Sequence, residues 1–161
     1  MSAIIFKPIG VIYSPHLSPQ GAPIQPPAAV DVPGQVVVFP EYQAGLQDLS
    51  GFSHLYLIYH FHLCHSYSLK VTPFLDDTQR GVFATRAPAR PNPIGLSVVR
   101  LERIEDNTLF ILDVDVVNGT PLLDLKPYVE VFDGRAHTKD GWLAGNLDKL
   151  ATVRSDTRFS S

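Results

Sequence analysis

The chain has a single cysteine, Cys64, set in an apolar run. No intrachain disulfide can form and no second thiol stands at metal-ligand spacing, which suits a reducing cytoplasm. No stretch approaches the ~20 apolar residues of a membrane helix. The N-terminus lacks a basic region leading into a long apolar stretch and a small-residue cleavage site, so the chain is expected to be soluble, cytoplasmic and independent of membranes. Glycine spacing excludes more. No two glycines stand two apart, so G-x-G-x-x-G cannot be written on the chain, and there is no phosphate-cradling P-loop. A G-x-S-x-G elbow and a C-x-x-C pair are missing too. Basic charge is also scarce: the formal net charge is −3, whereas phosphate binding draws on Lys and Arg. The deficit is uneven, because no acid lies between Asp77 and Glu102 while Arg80, Arg86, Arg90 and Arg100 all fall there. That stretch permits a local positive potential.

What is present fits one domain. The chain has 161 residues, 45% of them hydrophobic, enough for a real core, and its aromatic content rules out a compositionally disordered chain. A single domain is expected over 1–150, with 151–161 as a C-terminal tail that frays. Eight of the 14 prolines lie in the first forty residues, so Pro15 to Pro33 cannot be regular helix or central strand and reads as a long ordered loop. Strand-like patches rich in Val, Ile, Phe and Tyr are Ile4 to Tyr13, Gln35 to Phe39, His54 to Phe61, Leu69 to Val71, Val82 to Thr85, Leu96 to Ile104 and Thr108 to Val117. Glu105-Asp106-Asn107 reads as a hairpin turn. Short helices are predicted over Glu41 to Leu49, after Pro40, and over Trp142 to Leu150. Many short strands without intervening ten-residue helices indicate a mainly β antiparallel barrel or sandwich.

The most unusual segment runs from Gly81 to Ser97, G-V-F-A-T-R-A-P-A-R-P-N-P-I-G-L-S. Three prolines within six residues fix φ and remove backbone donors, so Arg86, Arg90 and Asn92 are presented at low entropic cost. This string resembles the signature of the TsaA-like (TrmO) family, differing at Ala87, where serine is usual. Pro8-Ile9-Gly10-Val11-Ile12 with Ser14-Pro15, Gly51-Phe52-Ser53-His54-Leu55, and Gly119-Thr120-Pro121-Leu122-Leu123-Asp124-Leu125-Lys126-Pro127-Tyr128 are similar to further family segments and occur in the same order. Asn118 stands where Asp is usual. The chain reads as a short form without the extra C-terminal domain of longer bacterial members.

The resemblance implies a closed antiparallel β-barrel with short helices and long ordered loops. It also implies S-adenosyl-L-methionine as cofactor, a homodimer with the cofactor near the subunit interface, and transfer of a methyl group to N6 of a threonylcarbamoyl-modified adenosine in tRNA beside the anticodon. DNA is not an expected partner. Such a cofactor asks for a carboxylate-binding cation, polar groups for its amine and an apolar slot. Arg86 suits its carboxylate, or a substrate phosphate, by bidentate bonding. The resemblance places Gln25, Pro26 and Leu96 along the adenosyl group, with His62 lining the cleft. Leu123, Asp124, Leu125 and Lys126 are further cofactor candidates. If that segment is extended, the two leucines share one face and the two charges the other. Arg90, Asn92, Lys126 and Tyr128 are substrate candidates. Methyl transfer to an exocyclic amine depends on positioning more than on acid–base chemistry, so Asn92, held between two prolines, and Asp124 are the catalytic candidates.

Two other readings stand beside this one. The same scaffold serves a noncatalytic barrel that binds an adenosyl ligand or RNA. His54, His60 and His62, on one face of a continuous strand, invite a metal-dependent hydrolase or isomerase, although the methyltransferase reading requires no metal.

Overall fold

A computed structural model describes residues 3–159. Among these described residues eight strands form: β1 (Gly10–Tyr13), β2 (Gly34–Val38), β3 (His54–His60), β4 (Lys70–Val71), β5 (Arg80–Gly81), β6 (Ile94–Glu105), β7 (Thr108–Leu112) and β8 (Thr120–Pro127). Six of them close a barrel in the order β1-β2-β7-β6-β3-β8, while β4 and β5 pair as a separate ribbon. Every pairing is antiparallel. Closure removes the open edges that a sheet of this size would otherwise expose.

The barrel forms because apolar residues alternate along its strands. In β3, Leu55, Leu57 and Tyr59 point inward and are buried, as are Ile12, Val36, Val38, Val99, Leu109, Ile111 and Leu122 from the other strands. Their partners His54, Tyr56, Ile58 and His60 are only partly covered. The expected hairpin is present: β6 ends at Glu105, β7 begins at Thr108, and those two residues pair across Asp106-Asn107. Asp106 adopts φ +53°, the left-handed conformation that such two-residue turns require.

Several expected elements differ. Ile4 to Pro8 precedes β1 without joining it, since Pro8 has no N–H to donate to a ladder, whereas Ile9 bonds on both sides, its N–H donating to the Leu122 carbonyl and its carbonyl accepting from Phe39 N–H, each at 2.8 Å. Val82–Ala84 is a 3-10 turn, closed by Thr85 Oγ1 donating to the Val82 carbonyl at 2.8 Å. Thr108 to Val117 stops being strand at Leu112, because Asp113 turns to φ +69° and breaks the ladder. The helix predicted over Glu41 to Leu49 is two 3-10 turns, Pro40–Leu46 and Leu49–Gly51, separated at Asp48 with φ +65°. Trp142 to Leu150 likewise divides into Gly141–Gly145 and Leu147–Lys149. None of these turns buries a whole residue that would reward a regular helix. Among the described residues the one α-helix, α1 (Glu130–Asp133), is a single turn.

A second, smaller cluster of Cys64, Val71, Val82, Ala87 and Ala89 packs under Phe61 and Phe159. The closing segment is tied down through Phe159. Ser155 exchanges backbone bonds with Gly21 and Ala22, its hydroxyl also reaches the Pro19 carbonyl, and the Phe74 and Phe159 rings meet edge to face at 5.1 Å. Ser160 and Ser161, the end of the expected tail, lie outside the described residues.

One close approach is sharply conditioned by sequence. Gly95 pairs with Tyr59 across β6 and β3, and a Cβ built on Gly95 would stand 2.1 Å from the tyrosine ring. Gly95→Ala is therefore expected to destabilise the protein by about 1–3 kcal/mol through overpacking. Gly81→Ala, where a Cβ meets nothing within 4 Å, serves as the control. Equal denaturant midpoints for the two variants would show that the ring does not depend on the missing side chain.

Candidate functional site

A cavity of about 950 Å³ opens where β3 ends and the β7–β8 connection passes. Its size is at the upper end of ordinary ligand pockets. The proline-rich loop contributes Pro23, Ile24, Gln25, Pro26 and Pro27 to the wall, and the 81–97 segment contributes Phe83, Thr85 and Arg86. The closing segment adds Trp142, Leu143, Leu147, Leu150 and Phe159. Trp142 is fixed by its indole N–H, which donates to the Ala84 carbonyl at 2.7 Å. The walls are mainly apolar with a few polar groups, the composition of a site for an amphiphilic small molecule.

Four of the residues singled out from the sequence meet here. Arg86 Nη1 donates to Gln25 Oε1 at 2.7 Å, joining the proline-rich loop to the 81–97 segment, and Pro26 continues the same wall. The Arg86 charge also acts on Tyr56, Tyr59 and Asp115. His62 lines the cavity one turn beyond β3, and burial, reinforced by neighbouring His60, pulls its imidazole below the usual histidine range.

The other candidates lie away from the cavity wall. Leu96 is half-exposed on β6, in the row Leu96–Ile58–Asp124 that crosses the outer faces of β6, β3 and β8. Asp124 and Lys126 share that face as an ion pair of 2.9 Å. Leu123 and Leu125 do not share a face: the β3–β8 register shifts after Ile58, so Leu125 stays in phase with buried Leu122 and Leu123 is the extra residue of a bulge. Arg90 donates to the Thr85 carbonyl at 3.2 Å and braces the loop from within. Asn92 is exposed at the loop tip, and its backbone carbonyl accepts from Ile94 N–H. Tyr128 packs edge-on against Tyr56, with ring centroids 5.6 Å apart.

The histidines do not converge. His54 and His60 occupy opposite ends of the seven-residue β3, about 20 Å apart along an extended strand. His54 bonds Ser53 at 2.9 Å, and His62 lies past the strand end. Among the described residues, no three of His, Cys, Asp and Glu group to hold a metal.

The cavity also holds a network that pattern reading passed over. Ser97 Oγ donates to Asp115 Oδ1 at 2.7 Å, and the Tyr59 hydroxyl lies 3.0 Å from the same Ser97 Oγ. Asp115 keeps some exposure, and the cavity is what it faces. Loss of water holds its carboxyl up to about 7, against the opposing pull of Ser97, its own backbone amide and the Arg86 charge. The available signal was Leu112-Asp113-Val114-Asp115-Val116, where two acids alternate with valines that are both buried. Beside it, Arg100 bonds both oxygens of Asp113, at 2.6 and 2.8 Å, and reaches Asp31 in the proline-rich loop.

Fold and site thus define a small closed-barrel protein with a largely apolar cavity that carries opposite charges at its wall. Residues 11–134 match the family model described as the tRNA-methyltransferase O N-terminal domain, and the chain belongs to that family. It is 54% identical over 158 residues to a probable S-adenosyl-L-methionine-binding protein of Pyrococcus abyssi, covering 98% of this chain and 86% of the relative. It is 33% identical to the tRNA (adenine(37)-N6)-methyltransferase of Homo sapiens over 81% of this chain, which spans only 31% of that enzyme. The crystal structure of TrmO from Pseudomonas aeruginosa is similar at 36% identity and a TM-score of 0.73, covering 88% of this chain and 63% of that one.

The Asp115 carboxyl sets a pH dependence. An unfolded aspartate loses its proton near pH ~3.9, whereas the folded one keeps it to about 7. The native state then binds the extra proton in that window, so this group's contribution to stability falls as pH rises from about 4 to about 7 and levels above it. Asp115→Asn is expected to remove that slope and gain stability over wild type at pH 7.5. Denaturant midpoints measured at pH 4.5 and 7.5 check this, and a wild-type minus variant difference that stays constant would contradict it.

Proposed function

We propose that this chain is an S-adenosyl-L-methionine-dependent methyltransferase acting on N6 of an adenosine in tRNA beside the anticodon. The observation that carries the reading is the joining of Arg86 and Gln25 at the mouth of a mainly apolar cavity, in a chain of the TrmO family. The residues fit the cofactor: the Arg86 guanidinium suits its carboxylate, Gln25 beside it adds a polar side chain, and the prolines, Phe83 and Trp142 supply the slot for its adenosyl group. When bound, the cofactor supplies a methyl group on a sulfonium. The chain's own part is then to hold the two reactants in line and to exclude water.

We infer a threonylcarbamoyl-modified adenosine as acceptor, with Asn92 and Arg90 of the rigid loop, and Lys126 and Tyr128 of β8, on the RNA side. Asn92 is exposed and flanked by two prolines, and its side-chain carbonyl is suited to accept from the exocyclic amine. Asp124 and Lys126, with Leu123 and Leu96 nearby, would serve the cofactor from the outer face of the barrel. That role requires a second copy to close over the face, and Ile94 and Leu96 leave apolar surface there. A homodimer is accordingly the proposed working unit, placing two arginine-bearing loops in one groove despite the net charge of −3 per chain. The cytoplasm is the proposed location. No helix among the described residues is long and apolar enough to cross a membrane.

Calorimetric titration with S-adenosyl-L-methionine, before and after chelation, tests the reading together with methyl transfer to unfractionated tRNA. Wild type is expected to bind with or without chelator, and Arg86→Ala to weaken binding roughly tenfold through loss of a charge-assisted bidentate contact. Failure of the folded wild type to bind would sink the proposal. Tight binding without transfer to any tRNA would favour a noncatalytic adenosyl-ligand barrel instead.

A further inference from the structure

Three carboxylates face the cavity, and two of them already have a cation. Asp113 is held by Arg100 at 2.6 Å and Asp156 by Arg158 at 2.7 Å. Asp115 makes no ion pair among the described residues. Its side-chain partner is the Ser97 hydroxyl, backed by Tyr59, and Tyr59 and Ser97 are themselves buried. The surrounding wall includes the Tyr59 ring, Phe61, Val98 and Val116. A carboxylate without a cation in such a wall is costly to ionise, and a positively charged ligand offsets that cost.

The kind of cation follows from the surroundings. An ammonium brings three N–H donors that each want an acceptor, and Asp115 Oδ1 is already engaged by Ser97. A sulfonium carries a full charge with no N–H donor at all. It needs a nearby anion in a poorly screened setting and apolar contact around it, and this part of the wall supplies both. Arg86 stands at the same cavity with the opposite sign, so a zwitterionic ligand tail and a separate cationic centre are both provided for.

We propose that Asp115 is the anionic partner of the methyl donor's sulfonium, and that it makes the cavity prefer the donor over its uncharged thioether product. The inference rests on the reading of this cavity as the cofactor site. Its functional consequence is product release: once the methyl group has left, the ligand no longer carries the charge that Asp115 holds. The titratable side chains sharing the wall are Tyr59, His62, Cys64, Arg86, Asp113 and Asp156. Of these, Arg86 is the one whose charge acts on Asp115, favouring its ionised form. Because the free carboxyl is held up to about 7, pairing with a sulfonium at neutral pH draws off its proton, and donor binding releases protons to the buffer.

The test is titration of the whole chain with S-adenosyl-L-methionine and with S-adenosyl-L-homocysteine, for wild type and Asp115→Asn, at pH 7 in two buffers of different ionisation enthalpy. Asp115→Asn is expected to weaken the sulfonium ligand roughly tenfold while changing the thioether by less than about twofold. It should also abolish the proton release that accompanies sulfonium binding. Parallel weakening of both ligands, or of neither, overturns the inference and leaves the cofactor cavity standing; a wild type that binds neither ligand overturns both. If the variant does not fold, the wild-type data decide alone: proton release with the sulfonium ligand and not with the thioether supports the pairing, and equal release rejects it.

Discussion

Much of the site depends on one contact, the Tyr59 ring lying against the bare backbone of Gly95. A side chain at 95 would occupy the space of the ring. With the ring in place, the tyrosine hydroxyl reaches Ser97, two residues along β6 on the same inward face, and Ser97 reaches Asp115 on the connection that follows β7. Burial raises the Tyr59 hydroxyl well above the usual phenol range, so it remains a neutral partner for Ser97. A glycine inside a strand usually weakens it. Here it lets a polar chain run from the barrel interior to the cavity, and the Phe61 ring, edge-on to Tyr59 at 5.4 Å, carries the contact onward to the cavity wall.

The second constraint is the Arg100 clamp. Asp31 and Asp113 both adopt left-handed backbone conformations, which a non-glycine residue holds only when its surroundings fix it. Arg100 bonds both carboxylates, and the Asp31 amide donates to Asp113 Oδ1 at 2.9 Å. One guanidinium thereby ties the end of the proline-rich loop to the point where β7 leaves the sheet. Pairing with Arg100 holds the Asp113 carboxyl below the usual range, opposite in direction to Asp115 two residues away. The two acids share a cavity and a short stretch of chain, yet one serves the scaffold and the other is left for a ligand.

Strand positions were legible in the sequence as patches rich in Val, Ile, Phe and Tyr between turn residues, and in His54 to Phe61 the inward alternation that a closed barrel demands shows as well, whereas Leu96 to Ile104 hides it by turning Leu96 outward and burying Ser97. The hairpin at Asp106-Asn107 was legible for the same local reason. Regular helices are absent from Glu41 to Leu49 and Trp142 to Leu150, where the chain forms short 3-10 turns that leave no residue fully buried. The Gly81 to Ser97 loop was recognisable as an unusual, stiffened segment from its prolines and arginines, and Arg86 lines the cavity. Asp115 was not, because the run Thr108 to Val117 reads as continuous strand and nothing local announces that Asp113 turns the backbone. Long-range bonding to Arg100 and Asp31, distant in sequence, decides that turn.

The cavity is assembled from two kinds of material. Its floor, with Tyr59, Asp115, Val116 and Thr120, belongs to the barrel and to the family-matched domain. Much of its apolar cover, Trp142, Leu143, Leu147, Leu150 and Phe159, comes from residues beyond that domain. This cover consists of short 3-10 turns rather than strands, held by the Trp142 bond to Ala84, the Ser155 bonds to the proline-rich loop, the Arg158 bonds to Thr72 and Pro73 and the Phe74–Phe159 ring contact. Such a layer, with few buried contacts of its own, opens at lower free energy than a closed barrel. Excluding water is nonetheless its main physical effect, since the field of an unpaired carboxylate such as Asp115 is strong only where solvent does not screen it. The polar floor therefore depends for its electrostatic strength on a cover whose own carboxylate at the cavity, Asp156, is neutralised by Arg158.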